Sequence, residues 1–136
     1  EAYEELATYD SLTRLLNRHA MMQAIMDEVS RFHRDKKPFV LALGDIDDFK
    51  HVNDHFGHHA GDVLLKEFAS RMQKRLRRHD VVSRWGGEEF LILLADVTQE
   101  EAEVVLNDLR DCLAEPVRVK KSKPCSNDYF RCLPVQ

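Results

Sequence analysis

Two five-residue apolar runs, Phe39-Val40-Leu41-Ala42-Leu43 and Phe90-Leu91-Ile92-Leu93-Leu94, each meet glycine and carboxylate at one end. The first is short and continuous, which suits a buried strand that delivers Asp45 just past Gly44. The second is separated from Val81-Val82-Ser83-Arg84-Trp85 by Gly86-Gly87-Glu88-Glu89, the pattern of a hairpin closed by a glycine turn. Around these strands the apolar period changes. Met22, Ile25, Met26, Val29 and Phe32 recur at three- and four-residue steps and predict a helix over residues 17–36, stopped by Pro38, with Met22 and Met26 in the core. Leu64, Phe68, Met72 and Leu76, each four apart, predict a second helix. Thr98 with Glu101 forms a capping box for a third, with Ala102, Val105, Leu106, Leu109 and Leu113 along one face. This order of elements defines an α/β sheet layered with helices.

The 136 residues fit one domain. Residues 1–9 read as the end of a connector helix, 10–115 as the domain, and 116–136, which hold three of the four prolines and no periodicity, as a divergent tail. A hydrophobic fraction of 43% beside 32% charged residues excludes a disordered or collagenous chain. No apolar run approaches the roughly 20 residues of a membrane helix, and no basic-then-apolar signal segment opens the sequence. With 20 Lys and Arg against 24 Asp and Glu, the acidic balance argues against DNA or RNA as a partner. Cys112, Cys125 and Cys132 are odd in number and imply no disulfide framework, so a reducing, cytoplasmic setting is expected.

Chemistry is expected in the middle of the chain, where all five glycines lie. Asp45, Asp47 and Asp48 follow the first strand, and Glu88 and Glu89 occupy the hairpin turn. Two readings stand for these acids: oxygen ligands for Mg²⁺, or solvated turn residues. Alternation along the strand puts Asp45 and Asp47 on one face and Ile46 on the other. His51, His55, His58 and His59 could offer imidazoles to Zn²⁺, but Gly57 interrupts that helix. Arg71, Lys74 and Arg75 read as cations complementing the end of their own helix.

Several motifs then fall in order: Asp45-Ile-Asp-Asp-Phe-Lys50-His-Val-Asn53-Asp, Phe56-Gly-His58, Gly61-Asp62, and Arg84-Trp-Gly86-Gly-Glu88-Glu89-Phe90. Together they resemble the GGDEF family of diguanylate cyclases, in its Gly-Gly-Glu-Glu-Phe variant. Asp10-Ser-Leu-Thr13-Arg-Leu-Leu-Asn17-Arg18 is similar to the family's opening motif, with Arg14 where glycine is commoner. The resemblance implies an α+β sandwich, nucleotide-cyclase or polymerase-palm-like, with a mostly antiparallel central sheet flanked by helices. It implies condensation of two GTP into cyclic di-GMP by a homodimer. By resemblance, Asp45, the Ile46 carbonyl and Glu88 hold Mg²⁺, with Mn²⁺ a substitute. Glu88, Glu89 and Lys50 are implied to be catalytic, and Asn53, His58, Asp62, Gly86 and Gly87 to bind substrate. Asn53 and Asp62 also read as helix caps, and Lys50 as an exposed helix lysine.

Arg77-Arg-His-Asp80 matches the family's product-inhibition signature, which implies cyclic di-GMP binding by Arg77 and Asp80. The resemblance also implies a sensory or coiled-coil segment upstream. It fails after Leu113. The family's Ser-x-Gly strand pair and last helix find no match in residues 116–136, so C-terminal strands and helix are expected to be missing, and no phosphate role passes to Lys120, Lys121 or Lys123. Missing strands would expose a sheet edge. Two further readings stand beside the enzyme: a catalytically inactive module that binds GTP or cyclic di-GMP, and a purely structural dimerisation domain.

Overall fold

The computed structural model describes residues 7–118 and 129–131. In chain order it contains α1 (Arg18–Asp35), β1 (Phe39–Asp45), α2 (Phe49–Phe56), α3 (His58–Arg75), β2 (Val81–Arg84), β3 (Glu89–Ala95), α4 (Gln99–Leu113), β4 (Pro116–Arg118) and β5 (Tyr129–Arg131). β1, β3 and β2 form an antiparallel sheet in that spatial order, and β4 pairs with β5.

β3 is the central strand, and its two faces explain its unbroken apolar run. Phe90, Ile92 and Leu94 join a core that includes Leu64, Phe68, Met72, Leu109 and Leu113 of α3 and α4. Leu91 and Leu93 face the other way, into a smaller cluster with Met21. β1 was expected to be buried, but among the described residues it is an edge strand. Leu41 and Leu43 are 43% and 54% exposed, and among the described residues only β3 is hydrogen-bonded beside them. An apolar run of this length is common to central and edge strands, so it does not separate them.

Helix boundaries follow local chemistry. The Asn17 side chain accepts from the Ala20 N–H at the start of α1, and Lys36, at φ 58°, closes it. Thr98 and Glu101 form the expected capping box on α4. The predicted face of α1 is rotated: Met21 is fully buried, while Met22 and Met26 are 45% and 59% exposed, not core. Apolar residues at adjacent positions leave the helical phase ambiguous by one residue, about 100° of rotation. Gly57, at φ 90°, separates α2 from α3 in a backbone conformation that L-residues avoid.

Tyr9 forms an antiparallel bridge with Leu16 and is not helical; residues 1–6 lie outside the described residues. At the other end a short strand pair, β4 with β5, does follow α4, and Val117 is buried in the main core. Lys120, Lys121, Lys123, Cys125 and Cys132 lie outside the described residues. Among the described residues no helix is long and apolar enough to cross a membrane.

Arg14 supplies a test of the opening loop. Its φ is 62°, a left-handed conformation that costs a non-glycine residue about 1–2 kcal/mol. Glycine relieves that strain but loses more chain entropy on folding. Arg14→Gly is therefore expected to raise stability by about 0.5–1 kcal/mol, read as a higher urea midpoint at unchanged slope.

Candidate active site

The end of the β1–β3 ladder brings the two acidic motifs together. Asp45 stands opposite Glu89, and one step further the Ile46 N–H donates to the Glu88 carbonyl at 3.2 Å. Ile46 is 1% exposed, with its side chain in the main core, while Asp45 on the opposite face is exposed. The Glu88 carboxyl is held above its usual range, first by partial burial, then by the negative charges of Asp45 and Glu89. Three like charges share one corner, and a bound cation is the direct way to relieve them.

The turn that carries Glu88 is tightly closed. The Trp85 and Gly86 N–H groups both donate to the Glu89 carbonyl, at 2.8 and 3.2 Å. A Cβ on Gly86 would stand 2.6 Å from Glu89 Oε1, whereas one on Gly87 would meet nothing within 4 Å. Neither glycine has a left-handed φ, and at Gly86 the close neighbour is the movable end of the Glu89 side chain.

Arg84 fastens this turn to the opening loop. Its Nε and Nη2 donate to the Gly87 carbonyl at 3.1 and 2.8 Å, and its Nη1 donates to Asp10 Oδ2 at 3.3 Å. Asp10 also accepts from the Thr13 N–H and hydroxyl, each at 2.8 Å. Burial alone would raise the Asp10 pKa, but the Thr13 hydrogen bonds and the Arg84 charge hold it below the usual range. Sequence reasoning recognised Asp10 and Arg84 as motif residues without a role. Their contact spans most of the domain, and only the Asp-x-x-Thr loop signal was local.

The remaining candidates lie on α2 and α3. Lys50 is exposed in the first turn of α2, and His58 and Asp62 are exposed near the start of α3. Asn53 is half-buried where the two helices meet. A Cβ on Gly61 would stand 2.9 Å from Asn53 Cγ and 3.2 Å from Phe49 Cζ, with Asn53 Oδ1 closer still. The missing Cβ thus lets Asn53 sit against the residue preceding Asp62. Gly61→Ala is expected to push the Asn53 amide aside, weakening binding of a non-hydrolysable GTP analogue about tenfold by calorimetry. Overpacking against Phe49 should also cost about 1–3 kcal/mol of stability.

Among the described residues, no three His, Cys, Asp or Glu side chains are grouped to hold a metal ion by themselves. The His51 and His55 rings stack at 4.0 Å without a third ligand group, so the imidazoles form no zinc cluster. Mg²⁺ makes a lighter demand: one or two carboxylates with substrate phosphates and water complete its shell. The Asp45–Glu88 pair fits that donor set in hard oxygen and in charge.

Arg77 and Asp80 are brought together, with each other as partners. Arg77 Nε and Nη2 each donate to the Asp80 carboxylate at 2.9 Å, and Nη2 also donates to the Ala95 carbonyl at 2.9 Å. Burial would raise the Asp80 pKa, but the Arg77 hydrogen bonds and charge keep it low. Both residues line an open depression of about 500 Å³ with Arg14 and Arg78. A separate apolar cleft of about 280 Å³, between β1, β3 and α4, contains none of the candidate acids. Arg71 departs from its expected role: its Nη1 donates to the Cys112 and Glu115 carbonyls at 3.2 and 2.8 Å, so it caps α4, not its own helix.

This fold and this corner of acids define a nucleotide-cyclase type of domain. Residues 7–126 match the family model described as "Diguanylate cyclase, GGDEF domain", and the chain belongs to that family. It is 43% identical over 126 residues to the diguanylate cyclase DgcP of Pseudomonas aeruginosa, covering 93% of this chain and 19% of that protein. The chain thus spans about a fifth of that curated relative's length. Among solved structures, the diguanylate cyclase SiaD of P. aeruginosa, crystallised with its activator SiaC, superposes with a TM-score of 0.82 at 38% identity, covering 95% of this chain and 46% of SiaD. The GGDEF domain of Caulobacter crescentus DgcB, in complex with c-di-GMP, gives 0.86 at 25% identity, covering 99% of this chain and 75% of that one.

Proposed function

We propose that this chain is a catalytic diguanylate cyclase domain, joining two GTP into cyclic di-GMP with release of pyrophosphate. The observation that carries this reading is the gathering of Asp45, Glu88 and Glu89 at one strand end, where partial burial and then the neighbouring negative charges raise the Glu88 pKa. Asp45, the Ile46 carbonyl and Glu88 would hold Mg²⁺ or Mn²⁺. When bound, the ion supplies neutralisation of triphosphate charge and activation of the attacking 3′-hydroxyl. Glu88, with Glu89 beside it, would receive the proton of that hydroxyl. Lys50 contributes positive charge for the phosphates, where transition-state charge spreads. Asp62 and Asn53 read the guanine edge: a carboxylate accepts from N1–H and N2–H₂, and an amide serves the remaining atom. His58 lines the same substrate, and Gly86 and Gly87 keep the turn free of Cβ atoms.

Each domain presents one such site, so cyclisation needs two domains face to face. Product chromatography after incubation with GTP tests this. Cyclic di-GMP is expected with Mg²⁺, none with EDTA, and turnover per subunit should climb with protein concentration.

A second reading, a non-catalytic module that binds cyclic di-GMP, is favoured by one feature, the Arg77–Asp80 pair beside its cationic depression. Guanine recognition there would require Asp80 to exchange Arg77 contacts for the base. Absence of turnover together with cyclic di-GMP binding that Arg77→Ala abolishes, measured by calorimetry, would select the module.

A further inference from the structure

The opening segment meets the flank of the acidic turn at a second place besides the Asp10–Arg84 pair. The Arg18 guanidinium carbon lies over the Trp85 ring, 4.2 Å from its centroid. Trp85 begins the closure of the turn: its N–H and that of Gly86 converge on the Glu89 carbonyl at 2.8 and 3.2 Å. Only Gly86 and Gly87 stand between Trp85 and Glu88. Two adjacent glycines leave the main chain the most freedom to lose, so the position of Glu88 depends on how firmly the flanks of the turn are held.

Both partners of the contact are anchored. Asn17, just before Arg18, donates its main-chain N–H to the Thr8 carbonyl at 2.9 Å and its Nδ2 to the Ala7 carbonyl at 2.6 Å. The Trp85 side chain packs against the cluster of Met21, Leu91 and Leu93. One residue earlier, the Arg84 N–H donates to the Leu16 carbonyl at 3.0 Å. The start of α1 and the end of β2 are thus set against each other, with Arg18 and Trp85 at their outer margin.

The helix itself has no use for this cation. Arg18 is the first residue of α1, where the helix dipole favours acids and opposes positive charge, and no acid occupies that turn. The guanidinium meets instead the negative face of an indole, the ring that attracts cations best. Arg18 is exposed and Trp85 half-buried, so the attraction is of the partly hydrated kind, worth a few-fold in an equilibrium.

We propose that Arg18 is a positioning residue for the catalytic turn: resting over Trp85, it holds the strand end from which Gly86, Gly87 and Glu88 depart. It acts through Trp85 and not on substrate. Its link to turnover rests on the cyclase reading above; its hold on the turn does not.

Hydrogen exchange of the metal-free 136-residue chain reads that hold directly. Arg18→Met keeps an unbranched stem without the charge, and Arg18→Lys keeps a cation. The Trp85 and Gly86 amides should exchange about fivefold faster in Arg18→Met and at nearly the wild-type rate in Arg18→Lys. Amides along β3 and the urea midpoint should stay as in wild type, because α1 loses only an unfavourable charge. In a Trp85→Leu background, Arg18→Met should have no further effect on the turn. In cyclic di-GMP synthesis, Arg18→Met should lower kcat about fivefold with KM within about twofold, and Arg18→Lys should restore it. Unchanged exchange at Trp85 and Gly86, equal acceleration throughout the sheet, a lysine variant no better than the methionine one, or a loosened turn with unchanged kcat would overturn the proposal. A wild-type chain that makes no cyclic di-GMP, yet whose turn loosens in Arg18→Met, would defeat the cyclase reading and leave the hold of Arg18 on the turn standing.

Discussion

Glu88→Gln is expected to reduce cyclic di-GMP formation by about a thousandfold while making the metal-free domain harder to unfold. The two effects have one cause. In the folded chain the Glu88 carboxylate is partly buried and faces Asp45 and Glu89, so its proton is held more tightly than in the unfolded chain. Where the folded state binds the extra proton, stability falls as pH rises. At neutral pH the ionised carboxylate is therefore a cost to the fold, and a neutral amide of the same shape removes it.

The same amide lacks the charge and the basicity that a divalent ion and a reacting hydroxyl call for. Product chromatography reads the loss of turnover, and thermal unfolding in EDTA reads the gain in stability. The pH dependence gives a further check. As the medium is acidified through the raised pKa of Glu88, wild type becomes protonated there, and its stability should converge on that of the variant. A variant that loses activity and stability together would point instead to a merely structural carboxylate, and the proposed role would fail.

The acids of this corner were legible because a glycine and a carboxylate at the end of an apolar run are local signals. So were the ends of α1 and α4, where Asn17 and Thr98 accept helix N–H bonds from residues three positions on. What was not legible depends on partners far along the chain. Nothing near Phe39 or Phe90 says which strand lies in the middle of the sheet; that follows from β2 pairing with β3 and not with β1. Met21 and Met22 are equally apolar, and only the position of the sheet decides that Met21 turns inward. Arg84 reaches both Gly87 and Asp10, and Arg71 reaches the carbonyls that end α4. Arg84 stood out only as a motif residue without a role, and Arg71 read as a cation for its own helix end, because the groups each serves arrive from other parts of the chain.

Phe68→Ala is expected to cost about 3–5 kcal/mol, enough to unfold a large share of molecules in a domain of ordinary stability. Phe68 has no exposure and sits midway along α3, between Leu64 and Met72, in the core shared with Phe90, Ile92 and Leu94 of β3. Truncation removes the ring's burial and leaves a cavity, since neighbours on helix and sheet can close only part of it. Urea denaturation should show a much lower midpoint, whereas Val104→Ala, on the 70% exposed Val104 of α4, should stay within about 0.5 kcal/mol of wild type. The consequence extends to the site. α3 carries Gly61 and Asp62 near its start, and Asn53 rests against Gly61, so the proposed guanine-reading residues are held by the same helix that Phe68 anchors to the sheet. In the folded fraction of Phe68→Ala, affinity for a GTP analogue should therefore drop although Phe68 touches no ligand, and a wild-type affinity in that fraction would show that α3 is held independently of its core.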